Sequence, residues 1–133
     1  MAATHFSGPV AVGAGAIESI TAAKTIDYED NGKTFMLDGG TGVAITLPLP
    51  KKGQTYRFVV GASFTTDYVI TATSGIMEGC ILEAGAVQTV AAATTLTLED
   101  GTENIGDYID MFSDGTYWIV SGNFLTAISI TPG

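Results

Sequence analysis

The chain has 133 residues, 46% of them hydrophobic and 14% charged. That is long enough for one domain with its own core and too apolar for a disordered chain. Its net charge of −9 is unevenly spread: all five bases lie between Lys24 and Arg57, whereas residues 58–133 carry nine acids and no base. An acidic half of this kind repels phosphate backbones, so nucleic acid is not an expected partner.

No apolar run approaches the ~18 residues of a membrane helix, so no membrane partner is expected. The first fifteen residues lack the basic start and dense apolar core of a secretory signal. A single cysteine, Cys80, rules out an internal disulfide and points to synthesis in a reducing cytoplasm.

Residues 1–16, rich in small residues, follow neither period 2 nor period 3.6 and read as an extended N-terminal arm. Apart from its terminus and His5 the arm is uncharged, which suggests that it lies against its own domain or a neighbouring subunit. Residues 17–133 read as a single β domain. Ile17 to Ile26 is the first expected strand, and Asp30-Asn31-Gly32 is a turn. Lys33–Leu37 and Val43–Leu47 flank Asp38-Gly39-Gly40-Thr41-Gly42, which predicts a hairpin with a glycine-rich loop. In its second arm Val43, Ile45 and Leu47 share one face, the alternation of a half-buried strand.

Pro48 and Pro50 end that strand, and Lys51 to Gln54 is a solvated turn. Thr55–Val60 follows with Tyr56, Phe58 and Val60 on one face, then Asp67–Ala72 with Tyr68, Ile70 and Ala72 together. Ile76–Glu83 and Thr94–Leu98 read as further strands. Between them Ala84–Ala93 is weakly patterned, and Gly85 with two valines argues against a helix. Ile109–Ser113 and Thr116–Val120 bracket Asp114-Gly115, the signature of a two-residue type I′ hairpin. That register sets Phe112 opposite Tyr117 and Met111 opposite Trp118. Phe124–Thr131 is a last strand or a C-terminal arm. Ala22–Ile26 with Glu29-Asp30 echoes Ala92–Leu96 with Glu99-Asp100. The expected fold is all-β: a compact antiparallel β-sandwich or β-barrel of short hairpins.

The residues offer little for catalysis. Nucleophilic chemistry needs a nucleophile, a base and an orienting group within reach. The one histidine, His5, sits in the arm, and Cys80 lies in a strand-like stretch where a buried core thiol is expected. There is no G-x-S-x-G elbow and no zinc-ligand spacing. Gly39–Gly42 lacks the Lys-Ser/Thr pair and the following helix of a phosphate loop. Asp27 to Asp38 approaches a calcium loop, but its third and twelfth positions and its flanks depart from that pattern. Glu99 to Asn104 reads as a solvated turn. No catalytic residue, metal or cofactor is expected.

Several segments, in this order along the chain, resemble small structural proteins of tailed bacteriophages. They are Thr4-His5-Phe6-Ser7-Gly8-Pro9-Val10, Ile20–Thr25, Ala44–Pro50 followed by Gly53 and Tyr56–Val60, and Ser113–Val120. The family is that of the head decoration (cement) proteins, with related hairpin patterns in phage fibre proteins. The resemblance implies a non-enzymatic protein on the capsid exterior of the virion, made in the host cytoplasm. It would bind the major capsid protein and strengthen the shell, as a homo-oligomer with a trimer favoured. The uncharged arm makes Thr4, His5, Phe6, Ser7, Pro9 and Val10 the expected contacts with the capsid or a sister subunit. The alternative is a receptor- or glycan-binding β module of a head or tail fibre, which would need exposed aromatics on a loop face.

Overall fold

The computed structural model describes residues 16–39, 43–73 and 76–132. They form eleven strands: β1 (Ile17–Ile20), β2 (Lys24–Thr25), β3 (Thr34–Leu37), β4 (Val43–Thr46), β5 (Thr55–Val60), β6 (Tyr68–Thr71), β7 (Met77–Glu83), β8 (Ala86–Leu98), β9 (Tyr108–Ser113), β10 (Trp118–Phe124) and β11 (Ser129–Pro132). Ten of them make one mixed sheet in the order β1-β3-β5-β9-β10-β7-β8-β6-β4-β2, and β11 pairs with β8. The strands at the two ends of that order, β1 and β2, are joined by Thr21-Ala22-Ala23 alone, a link of at most ~14 Å even when extended. The sheet must therefore curl back on itself, and the result is a nearly closed barrel.

The first half of the chain winds three times. Each turn lays one strand on each of two parallel stacks, β1-β3-β5 and β2-β4-β6. The antiparallel strands β9 and β8 continue these stacks, and β10 and β7 bridge them. Registered stacking lines up like residues. Ile20, Leu37 and Val60 share one inward rung, as do Val43, Tyr68 and Leu98, and all six are buried. The core is strongly aromatic: Phe35 stacks on Phe58 at 5.4 Å between ring centres, and Tyr56 meets Trp118 at 5.5 Å. Trp118 keeps its polar end satisfied, its Nε1–H donating to Pro48 O at 3.3 Å. The expected inward sets Val43/Ile45/Leu47, Tyr56/Phe58/Val60 and Tyr68/Ile70/Ala72 are all buried.

The sheet is mixed, and several local expectations change with it. Lys33–Leu37 and Val43–Leu47 do not form a hairpin: β3 pairs with β1 and β5, and β4 with β2 and β6, all in parallel. Alternation specifies a strand and its buried face but not its neighbour, and here the loop after β3 carries the chain to the other stack. The expected first strand is two strands, β1 and β2, for the same reason. The hairpin at Asp114-Gly115 exists, but Ser113 pairs with Trp118, Phe112 with Ile119 and Met111 with Val120. Its loop is four residues long because the Asp114 carboxylate accepts from the backbone N–H groups of Thr116 and Tyr117, both at 2.8 Å.

Ala84–Ala93 belongs to a long hairpin whose turn, Ala84-Gly85, takes positive φ at both positions (49° and 81°). Alanine rarely adopts that conformation, which hides the turn from composition. Cys80 is exposed on β7, outside the core. Its cross-strand partners, Ser121 and Thr89, are exposed with it, which places Cys80 in the outward phase of β7. The echo between Ala22–Ile26 and Ala92–Leu96 is no structural repeat, because β8 runs antiparallel to β6 whereas β2 runs with the stack. The repeat that does exist is Lys24-Thr25-Ile26, Ile45-Thr46-Leu47 and Ile70-Thr71-Ala72.

Trp118→Ala should lower stability by ~3–5 kcal/mol, the usual cost of emptying a buried aromatic site. Urea unfolding followed by far-UV circular dichroism measures it.

Candidate docking face

Laterally paired residues point to the same side of a sheet, so the registers define the outer surface of the barrel. Over β1, β3, β5, β9, β10, β7 and β8 one outward rung reads Ile17, Thr34, Arg57, Asp110, Ser121, Cys80, Thr89. The next reads Ser19, Met36, Val59, Tyr108, Asn123, Leu82, Val87. A third, shorter rung holds Thr55, Phe112, Ile119 and Glu78. Large apolar side chains are prominent here: Ile17 is 70% exposed, Val87 65%, Phe112 53% and Leu82 41%. Ile105 and Leu125, also exposed, flank a shallow depression beside Tyr108 and Asn123.

The charges on this face largely cancel. Arg57 grips Asp110 with two contacts, Nε to Oδ1 at 2.6 Å and Nη2 to Oδ2 at 2.9 Å, and its guanidinium lies 5.4 Å from the Tyr108 ring centre. Glu78 is the remaining charge, and its carboxylate accepts from Ala92 N–H at 3.1 Å. A shallow groove of about 420 Å³ runs past Thr34, Thr55, Arg57, Asp110 and Phe112.

The other side of the barrel is different. Thr25, Thr46, Thr71, Thr95 and Thr131 form one outward rung across β2, β4, β6, β8 and β11, beside Ala44, Val69, Thr97 and Ser129. It is uncharged, and its cross-strand threonine pairs stabilise the sheet.

The acids cluster in loops, where they hold backbone. Asp67 accepts from Asp100 N–H at 2.8 Å, Glu103 from Phe64 N–H at 2.8 Å and Gly101 N–H at 2.6 Å, and the buried Asp107 from Asn104 N–H and Leu125 N–H at 3.1 Å each. In the calcium-like stretch, Asp27 caps a short 3-10 turn over Tyr28–Asp30, and Asp30 turns to Lys33 and Lys24. Among the described residues no three His, Cys, Asp or Glu side chains gather as a metal-binding group. Of the neighbours Tyr117 and Trp118, the first is 41% exposed and the second buried. Tyr28 is also exposed, with Lys51 Nζ 5.0 Å over its ring.

The expected contact residues Thr4, His5, Phe6, Ser7, Pro9 and Val10 lie outside the described residues. The outer face over β1 to β8 was not singled out from sequence. Its members are scattered from Ile17 to Val87 and beyond, and only the lateral registers bring them together. The one local signal was Phe112, whose place in β9 opposes the inward phase of Met111. No protein-family model, curated protein or solved structure matches this chain.

Where β1 and β2 meet, four charges interlock. Lys24 Nζ lies 2.9 Å from Glu18 and 3.5 Å from Asp30, and Lys33 Nζ lies 2.9 Å from Glu18 and 2.7 Å from Asp30. Hydrogen bonds from Lys24 and Lys33 hold the Glu18 carboxyl below its ordinary range. At Asp30 burial opposes ionisation, but Lys33, the Asp27 N–H and Lys24 together outweigh it and the net shift is also downward. Burial, with the nearby Asp30 and Asp27 charges, pushes the Tyr56 hydroxyl up to about 12.

Carboxyls with lowered values in the fold stabilise it above their unfolded values of ~4 and lose that contribution as pH falls through the folded ones. The urea midpoint should therefore drop between pH 6 and pH 3, by less in Asp30→Asn than in the wild type. At pH 7 Asp30→Asn should cost ~1–3 kcal/mol, because it removes the one buried charge of a partly exposed ion-pair cluster.

Proposed function

We propose that this protein is a non-enzymatic structural protein that binds the outer surface of a bacteriophage capsid and stabilises the shell. The major capsid protein is its partner, and copies of itself, with a trimer favoured, are its neighbours. The observation that carries the reading is the weakly charged outer surface over β9, β10, β7 and β8, with Phe112, Leu82 and Val87 exposed. Leu82 and Val87 are cross-strand partners, and large apolar side chains exposed side by side are a mark of protein docking. A convex face suits a shell surface better than a small molecule, which is normally enclosed in a concave pocket. Most acids beyond Arg57 lie in loops, and Asp110 on the face is paired with Arg57, so the face meets a partner without a large like-charge penalty. Many weakly held copies acting together would reinforce a shell. The arm residues Thr4 to Val10 are a second proposed contact.

A fibre module that binds a receptor or glycan is the competing reading, favoured by the exposed Tyr28 beside Lys51 and by Tyr117. Hits on a glycan array with no binding to capsids would select it.

Purified protein should bind capsids of a tailed phage and raise the temperature at which they open. Leu82→Glu with Val87→Glu should weaken that binding at least ~10-fold, since desolvating two introduced charges costs more than 1.4 kcal/mol. Deleting residues 2–10 should lower occupancy while leaving the domain folded. Undiminished capsid occupancy in both variants would refute the reading.

A further inference from the structure

The core positions of the three chain turns are in register, and the first turn breaks their pattern. On one stack the inward rung reads Glu18, Phe35, Phe58; on the other it reads Lys24, Ile45, Ile70. The second and third turns fill these positions with buried apolar side chains. The first turn fills them with an acid and a base that meet at 2.9 Å, with Lys24 Nζ 5.6 Å from the Phe35 ring centre. Lys33 and Asp30 complete the cluster, so two positive and two negative charges lie over the open end of the apolar stack.

This end is also where the sheet has its edges. Among the described residues β1 pairs with β3 alone and β2 with β4 alone. An unpaired edge is a template for another strand, and inward-pointing charges are one means by which natural sheets prevent that pairing. A stack of chain turns likewise needs a polar terminal turn to stay soluble.

We propose that the Glu18–Lys24–Asp30–Lys33 cluster is a gatekeeper: it stops two copies of this chain from joining edge to edge through β1 and β2. The second copy is the fitting occupant because the two edges would meet as identical surfaces about a twofold axis, with β1 antiparallel to its counterpart. The cluster is neutral as a whole, so the net charge of the chain does not guard this end. What guards it is that a docking copy would have to strip water from Glu18, Lys24 and Lys33, which are partly exposed.

The test is the double variant Glu18→Val with Lys24→Ile, which restores the apolar pattern and leaves Asp30 paired with Lys33. Its mass by light scattering and sedimentation should be double that of the wild-type species and should fall back on dilution. Thr34 N–H donates to Ala16 O, so in a parallel pair residues 16, 18 and 20 bond β3 while Ile17 and Ser19 direct their N–H groups to the other side, where β1 has no partner strand among the described residues. Adding Ile17→Pro removes one of those donors without removing a bond to β3, and should return the double variant to the wild-type mass. A double variant with wild-type circular dichroism and wild-type mass at every concentration would overturn the proposal, as would a doubled mass unaffected by Ile17→Pro. Should the double variant not fold, Lys24→Met, which leaves Glu18 on Lys33, is judged by the same two readouts.

Discussion

The closure of the sheet at β1 and β2 is the constraint on which the other features depend. The chain begins its winding there, and Thr21-Ala22-Ala23 tethers the two terminal strands to each other. Two further contacts hold the same end. Lys24 reaches Glu18 across the seam, and the Tyr68 hydroxyl, from the other stack, donates toward Ile20 O at 2.6 Å through the interior. With the first turn held in this way, β3 and β5 inherit its register on one side and β4 and β6 on the other. Every inward rung then follows from residue spacing.

The same registers explain why the outer surface has two characters. A strand alternates faces, so once Phe35, Phe58 and Ile109 face inward, Met36, Val59 and Tyr108 must face outward. On the stack begun by β2 the outward positions fall on threonine, which satisfies both sheet propensity and solvent. On the stack begun by β1 they fall on Ile17, Met36 and Val59, with Phe112, Leu82 and Val87 added by the later strands. Solvation alone does not favour that choice, which is why this face carries the proposed docking role.

The acid excess has a local use as well as a global one. Asp67, Glu103, Asp107 and Asp114 each accept backbone N–H groups in loops that have few other partners. Loop backbone that is not paired in the sheet needs such acceptors. Side-chain oxygens of Asp and Glu supply them without adding bulk to the core. The charge thus fastens the connections between strands while the outer face proposed for docking stays close to neutral.

The sequence by itself determined the strands and their buried faces. Val43/Ile45/Leu47, Tyr56/Phe58/Val60 and Tyr68/Ile70/Ala72 are readable from alternation because a side chain's face depends only on its position along its own strand. It also showed where the charge lies and that the residues for familiar catalytic motifs are missing. Partner choice was decided only by the tertiary structure. Val43–Leu47 looks the same whether it pairs back on Lys33–Leu37 or continues a parallel stack, since the two arrangements bury the same residues. The turn at Ala84-Gly85, the exposure of Cys80 and the four-residue loop after Ser113 were hidden for related reasons. Each depends on a backbone conformation or a neighbouring strand that a local stretch does not encode. The proposed docking face and the charge cluster belong wholly to the fold, because Tyr108 and Leu82 share a rung only through the pairing of β9, β10 and β7, and Glu18 meets Lys24 only when the sheet has closed.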